Sequence, residues 1–180
     1  YHWVSELYNS APFNPLTDRH QHNVLKPIQH GSFYFEDHYP DSHVFADAEY
    51  LRGAVDPHLL YIHSMNIDDA GHRYGGESKE YEQAVRMADA LLATLFPLWM
   101  AQGYSILVTA DHGMNTNGFH GGVSPSERHV PLYTFGEELL SPEKEVQALP
   151  QLRIAPLMCH CLGIEPSKAM HQKGRIFIPA

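Results

Sequence analysis

Basic residues are scarce in this chain. Lys and Arg together number 12 against 21 Asp and Glu, which leaves a formal net charge of −9 over 180 residues. No basic stripe is present, so the electrostatic footprint of a protein that tracks a nucleic-acid backbone is missing. Cysteine is nearly absent, with only Cys159 and Cys161. They lie two apart in a segment that reads as helix, where their side chains diverge, so neither a mutual disulfide nor a shared metal site suits them. Buried structural thiols in a reducing, cytoplasmic setting are the expectation. There is no long apolar run for a membrane span and no secretory leader. Because the chain opens at Tyr1 without a methionine, it also reads as a processed or truncated piece, which leaves a missing amino-terminal signal open. Repeats, low-complexity tracts and a clear linker are lacking as well.

What remains describes an ordinary globular composition. Hydrophobic residues make up 43% and charged residues 18%, as expected of a single domain over residues 1–180 with enough length for a core. Histidine is the outlier at 14 residues. His20, His22, His30, His38 and His43 read as surface residues, so abundance alone carries nothing. The acidic balance repels phosphate-bearing substrates at long range. A site for such a substrate needs a local cation to invert the field, and bound metal would supply it.

Residues 1–41 form an irregular excursion rich in Pro, His, Asn and aromatics, with a short helix at 1–8 and a short strand at 32–36. Residues 41–52 read as a helix capped by Ser42, with Val44, Phe45, Ala48 and Leu51 on one apolar face. The run Leu59-Leu60-Tyr61-Ile62-His63-Ser64-Met65 reads as a buried strand. Residues 66–76 look like a loop, because Gly71, Gly75 and Gly76 interrupt them. Tyr81, Val85, Ala88, Leu92, Leu95 and Trp99 repeat at helical spacing across 77–102, with Pro97 expected to kink or shorten the end. Ser105-Ile106-Leu107-Val108-Thr109 is a second buried strand. A right-handed crossover would lay the strands 59–65 and 105–109 parallel in one sheet, and ligand sites in such sheets sit at the carboxyl ends of strands. Residues 130–135 are a third strand candidate, 141–146 a capped turn, 152–162 a helix ended by Gly163, and 175–178 a final strand.

Two polar clusters follow these strand ends directly, and a third comes a short loop later. They are Asp68-Asp69-Ala70-Gly71-His72, then Thr109-Ala110-Asp111-His112-Gly113-Met114, then Gly118-Phe119-His120-Gly121-Gly122. Each sets Asp or His beside small residues, and imidazole nitrogen with carboxylate oxygen is a donor set that suits zinc. Taken singly, an Asp-His pair after a strand is a capping feature and a His beside Gly a turn. Their joint occurrence at adjacent strand ends is what points to a metal site.

These three segments resemble the alkaline phosphatase superfamily, nearest its nucleotide pyrophosphatase/phosphodiesterase members. The likeness runs from about residue 59 to residue 163, and residues 154–163 resemble a helix found near the end of such domains. It implies an α/β fold of three layers, α/β/α, with a mostly parallel central sheet, of which this chain is the carboxyl-terminal part. It also implies two divalent metal ions, zinc first, with manganese or iron as alternatives. Asp68, His72 and His120 would hold one, and Asp111 and His112 the other, with Asp69 as a polar neighbour. The implied chemistry is two-metal hydrolysis of phosphate esters, phosphodiesters or pyrophosphates, through a covalent phosphoenzyme.

The family's nucleophile, a Ser or Thr at a helix start, has no counterpart here. Thr17-Asp18 lacks a preceding strand and follows two prolines, so the nucleophile is expected upstream and this piece alone inactive. A non-catalytic metal- or ligand-binding domain of the same fold is the alternative, as are a sulfatase, phosphonate hydrolase or phosphoglycerate mutase on the same metal frame. His63 reads as a satisfied core histidine, Arg128 and His129 as a solvated loop, and Tyr74 as a packing residue. Glu77, Glu80 and Glu82 read as an exposed helix start favoured by the dipole.

Overall fold

The computed structural model describes residues 1–136, 139 and 149–170. The expected turn at 141–146 and strand at 175–178 lie outside them. The chain divides into two compact units, one formed by Tyr1–Ala93 with His112–His129 and the other by Thr94–Asp111 with Val130–Ala180.

The first unit begins with helix α1 (His2–Tyr8) and a hairpin of β1 (His20–His22) and β2 (His30–Ser32). The strands pair antiparallel, with His20 opposite Ser32 and His22 opposite His30. Side chains of α1 hold the hairpin. Fully buried Ser5 accepts from Gln21 Nε2 at 2.7 Å, and Asn9 Nδ2 donates to Gln21 Oε1 and to the Ile28 carbonyl, both at 2.9 Å. Helix α2 (Asp41–Val55) buries Val44, Phe45, Ala48 and Leu51 as its spacing predicts, in a core that also holds Phe33 and Tyr34. Its cap is Pro40, not Ser42, so Asp41 takes the first helical position, where a carboxylate suits the dipole.

Asp41 and Asn66 clamp the starts of two helices together. The Asp41 N–H donates to Asn66 Oδ1 at 2.9 Å and the Asn66 N–H to Asp41 Oδ1 at 3.4 Å. Asn66 Nδ2 also donates to the carbonyls of Asp37 and Tyr39. The second helix is α3 (Asn66–Tyr74), in the stretch expected to be a loop. Its residues have a helix's charge order, with Asp68 and Asp69 in the first turn and His72 and Arg73 in the last, and both ends are favoured by the macrodipole. Gly75, at φ 91°, terminates it.

Helix α4 (Lys79–Ala101) continues through Pro97, which neither shortens it nor prevents its final turn. Among the described residues it is the one helix long and apolar enough to cross a membrane by length and composition, with a mean hydropathy of 1.3 over its most apolar 18 residues. This differs from the expectation that the chain holds no apolar run long enough for a span. Exposed Glu80 and Glu82 open the helix, as expected, and Ala88 and Trp99 are buried.

The second unit carries β3 (Ile106–Thr109) and β4 (Leu132–Phe135), both near their expected positions. They pair antiparallel, with Ile106 opposite Phe135 and Thr109 opposite Leu132. This corrects the expected parallel pairing of 59–65 with 105–109. Residues 59–65 form no strand, and Leu59 and Tyr61 are exposed. An apolar run shows that a segment suits a sheet interior, but its ladder partner is a matter of tertiary context. The unit also holds α6 (Ile154–Cys161), preceded by a 3₁₀ turn and followed by Gly163 at φ 67° and a second 3₁₀ turn at Lys168–Met170. Cys159 and Cys161 are half-buried thiols. Between the two strands, α5 (Pro125–Arg128) belongs to the first unit.

Burial pushes the Asp41 carboxyl above its usual 3.8, against the opposing pull of backbone donors at Asn66 and Met65. A raised acid pKa means that the folded state holds its proton more tightly than the unfolded chain does, so stability falls as pH rises from 3.8 through the folded value. Asp41→Asn keeps an acceptor and removes the ionisation. Denaturant melts across pH 4–7 should show wild type losing stability relative to Asp41→Asn with rising pH. A pH-independent difference would contradict this reading.

Candidate metal centre

Helix α3 sets Asp68 and His72 one turn apart, where residues i and i+4 face the same way. His72 Nε2 lies 3.4 Å from Asp68 Oδ2. On the next flank of the helix, Asp69 pairs with Arg73 at 3.0 Å. The helix periodicity thus separates the two adjacent carboxylates.

His112 and His120 come from the loop that leads into α5. This loop reaches α3 because glycines remove the obstacles. A Cβ on Gly118, at φ 79°, would stand 2.8 Å from the Gly71 carbonyl oxygen and 2.9 Å from that of His72. A Cβ on Gly71 would strike the buried Met114 side chain at 2.8 Å. The loop is braced from its far side by Glu127, which accepts from the Ser124 N–H at 3.2 Å and from Asn115 Nδ2 at 3.1 Å. The Ser124 hydroxyl also donates to Glu127 and, as the leading cause, holds its carboxyl below the usual range. The Gly113 N–H donates to the Glu127 carbonyl at 2.8 Å. Glu127 was not singled out beforehand. Its signal was legible as Ser124-Pro125-Ser126-Glu127, a capping box with proline at the first helical position.

The resulting cluster joins four of the five expected residues. Asp68, His72 and His120 each offer a ligand atom, all within 4.8 Å of one another. The His112 ring stacks on that of His120, with centroids 3.7 Å apart and planes at 14°, and its Nε2 is 3.9 Å from Asp68 Oδ1. The His72 and His120 rings are 5.0 Å apart. The fifth residue, Asp111, is exposed and belongs to the second unit, where its carbonyl accepts from Gln151 Nε2 at 2.9 Å.

Backbone carbonyls set the tautomers. His72 Nδ1 is 2.8 Å from the Gly118 oxygen, and His112 Nδ1 is 3.0 Å from that of Gly113. A carbonyl only accepts, so each Nδ1 carries a proton, which leaves Nε2 as the ring nitrogen that faces Asp68. Imidazoles that ligate metals are oriented by this kind of outer hydrogen bond. Asp68 Oδ1 is buried and has no hydrogen-bond partner. Leaving a charged acceptor in that state is costly, and a cation held between it and the imidazole lone pairs would remove the cost. The donor set therefore fits a divalent ion. Burial, and then the Asp68 charge, push the phenol of neighbouring Tyr81 up.

The other residues weighed from sequence lie elsewhere. His63 is half-buried and satisfied, 3.0 Å from the Tyr61 hydroxyl and edge-on to Trp3, though in no strand. Arg128 and His129 are exposed, as read. Tyr74 is 57% exposed, contrary to the packing role expected of it. With Asp69, Arg73 and Lys79 it lines an open depression of about 470 Å³. Thr17 sits in an exposed turn and bonds its neighbour Asp18 at 3.1 Å.

The glycine contacts give a paired test. Gly118 and Gly121 both have positive φ, but only Gly118 meets backbone, since nothing lies within 4 Å of a Cβ on Gly121. Gly121→Ala should cost about 1–2 kcal/mol of left-handed strain. Gly118→Ala should cost more and should also weaken zinc binding by lifting His120 from α3. Equal losses in denaturation, with equal zinc affinity by titration calorimetry, would show that the close approach does not hold the cluster.

Comparison with known proteins identifies the family. A profile of the family described as type I phosphodiesterase / nucleotide pyrophosphatase matches residues 8–163. The human protein named GPI ethanolamine phosphate transferase 3, catalytic subunit, is 28% identical over 109 residues, which is 59% of this chain and 10% of that protein. GPI ethanolamine phosphate transferase 1 of Neurospora crassa is 34% identical over 100 residues, 53% of this chain and 10% of the relative. Its Saccharomyces cerevisiae namesake is 31% identical over 91 residues, 48% and 10% respectively. This chain spans about a tenth of the length of these curated relatives. No solved structure matches it. Since the profile covers most of the chain, including α3 and the loop bearing His112 and His120, the chain belongs to the type I phosphodiesterase / nucleotide pyrophosphatase family of the alkaline phosphatase superfamily.

Proposed function

We propose that this chain forms the metal-binding part of an enzyme that breaks and remakes phosphoester bonds. The observation that carries this reading is the buried, unpartnered Asp68 Oδ1, faced by imidazoles whose Nδ1 protons are already committed to backbone carbonyls. Asp68, His72 and His120 would hold one divalent ion. His112, with Asp111 next to it in the chain, would contribute to a second. Zinc suits the His/Asp donor set, and manganese or iron would also be accepted. A bound pair of such ions would supply Lewis-acid stabilisation of the phosphoryl oxygens and of the attacking and leaving oxygens.

The chain's own residues do the rest of the positioning. The Gly118 and Gly113 carbonyls orient His72 and His112, Glu127 braces the loop, and the Asp41–Asn66 clamp fixes the start of α3. The nucleophile that would take up the phosphoryl group is assigned to the remainder of a longer protein. The relatives are named for moving an ethanolamine phosphate. That favours transfer to an alcohol acceptor over hydrolysis, with a phosphodiester as donor.

Zinc titration of the chain tests the metal reading. His72→Ala and His120→Ala should each weaken binding by at least the roughly 10–100-fold that loss of an outer-shell partner costs. Asp69→Asn should leave it unchanged, because Asp69 is engaged with Arg73. If His72→Ala and His120→Ala bind zinc as wild type does, the assignment is wrong. The acceptor is read separately on the full-length product, from whether a phosphodiester substrate yields a new phosphodiester or a free phosphate ester.

A further inference from the structure

The hairpin in the first unit carries histidines that the cluster does not use. In an antiparallel ladder, directly opposed residues and those two apart on a strand share one face. The register sets His20 opposite Ser32 and His22 opposite His30, so three imidazoles occupy the same face. His22 and His20 are exposed and His30 is half-buried. The rings of His22 and His30 do not merely pass each other. Their Nδ1 atoms approach to 3.0 Å, with ring centroids 5.3 Å apart and planes tilted by 54°. His20 Nδ1 is 3.0 Å from Ser32 Oγ.

We propose that this face is a second metal site, separate from the Asp68 cluster, in which His22 and His30 chelate a divalent transition-metal ion through Nδ1, with His20 alongside. Two neutral imidazoles at this separation share one proton, one nitrogen donating and the other accepting. When both rings carry their protons on Nε2 instead, both Nδ1 lone pairs are free to bind a cation held between the two strands. No net proton is released, because the donating ring only moves its proton from Nδ1 to Nε2.

The separation also indicates the class of ion. With metal–nitrogen bonds of about 2.0–2.1 Å, donors 3.0 Å apart subtend an angle of about 95° at the ion. A tetrahedral site would part them to about 3.3 Å. The angle is that of neighbouring positions in square-planar or octahedral coordination, which Cu²⁺ and Ni²⁺ prefer. The site therefore favours Cu²⁺ over Ni²⁺ and Ni²⁺ over Zn²⁺, whereas the Asp/His cluster is suited to zinc. Because the ligands come from opposite strands, the ion would staple β1 to β2. It binds only where the hairpin is formed, so it stabilises the folded hairpin by mass action.

The test uses the chain carrying His72→Ala and His120→Ala, so that the two sites are read apart. Cu²⁺ should bind at one equivalent, with electron paramagnetic resonance showing hyperfine coupling to two imidazole nitrogens. Paramagnetic broadening of amide signals should centre on residues 20–32. His22→Asn or His30→Asn should weaken Cu²⁺ at least tenfold and remove the two-nitrogen signature. His38→Asn, an exposed histidine off the hairpin that faces Glu36, should change nothing. Because the exchanged side chains are on the surface, circular dichroism should confirm that the variants fold. Cu²⁺ binding unaltered in the His22→Asn/His30→Asn pair, or broadening centred away from the hairpin, would overturn the proposal. Neither result would bear on zinc at the Asp68 cluster, which is measured in the chain with His72 and His120 intact.

Discussion

The contact of one loop backbone with one helix backbone governs the candidate site. Gly118 lies against the carbonyls of Gly71 and His72, where no side chain fits. The Gly118 carbonyl then accepts from His72 Nδ1. The residue that allows the approach thus also sets the tautomer of the imidazole it approaches. A single hydrogen bond contributes only about 1 kcal/mol net, too little to fix a loop by itself. Shape holds this junction, because Gly71 accommodates Met114, and Gly76 lies under the Met114 and Asn115 carbonyls with its own N–H donating to Asn115. The hydrogen bonds select the rotamer and tautomer within a fit that sterics have already decided.

That fit creates an electrostatic problem that a simple scaffold would avoid. Asp68 is on the first turn of α3, where the helix dipole favours a carboxylate, but its Oδ1 is enclosed without a donor. The imidazoles nearest it are those of His112, whose Nε2 lies 3.9 Å from Oδ1, and of His72, whose Nε2 lies 3.4 Å from Oδ2. Asp69, one residue on, shows the ordinary solution, an ion pair with Arg73 along the helix surface. The adjacent carboxylates thus differ in their neighbours, a guanidinium for Asp69 and only imidazoles for Asp68. In a chain with a net charge of −9, a cation at this point would also provide the local positive field that a phosphoester needs.

Much of this was legible in the residues, and the failures have physical causes. The apolar spacing of Val44, Phe45, Ala48 and Leu51 marked α2, and the run at 105–109 marked β3, because local periodicity survives any tertiary context. Residues 66–76 were misread because three glycines outweighed a charge order that favours a helix. Residues 59–65 were misread in the opposite direction, since strand composition says nothing of a partner. The spacing of Asp68 and His72 was legible, and it holds on a helix as well as on a loop. The stacking of His112 on His120 was not, because it depends on the loop's path over Gly71 and on the brace at Glu127.

The convergence does not depend on the sheet that was expected to produce it. A parallel sheet would gather ligands by bringing strand ends to one edge. Here β3 pairs antiparallel with β4 in the second unit, while Asp68, His72, His112 and His120 all lie in the first. They meet where α3 packs against residues 113–120, a loop that Glu127 braces. Such contacts join a helix to a loop directly, with glycines providing the clearance and carbonyls the orientation. A metal frame of this kind is a local property of the α3–loop junction. The close approach of α3 and this loop, with glycines at the contact, is thus what brings the four side chains together.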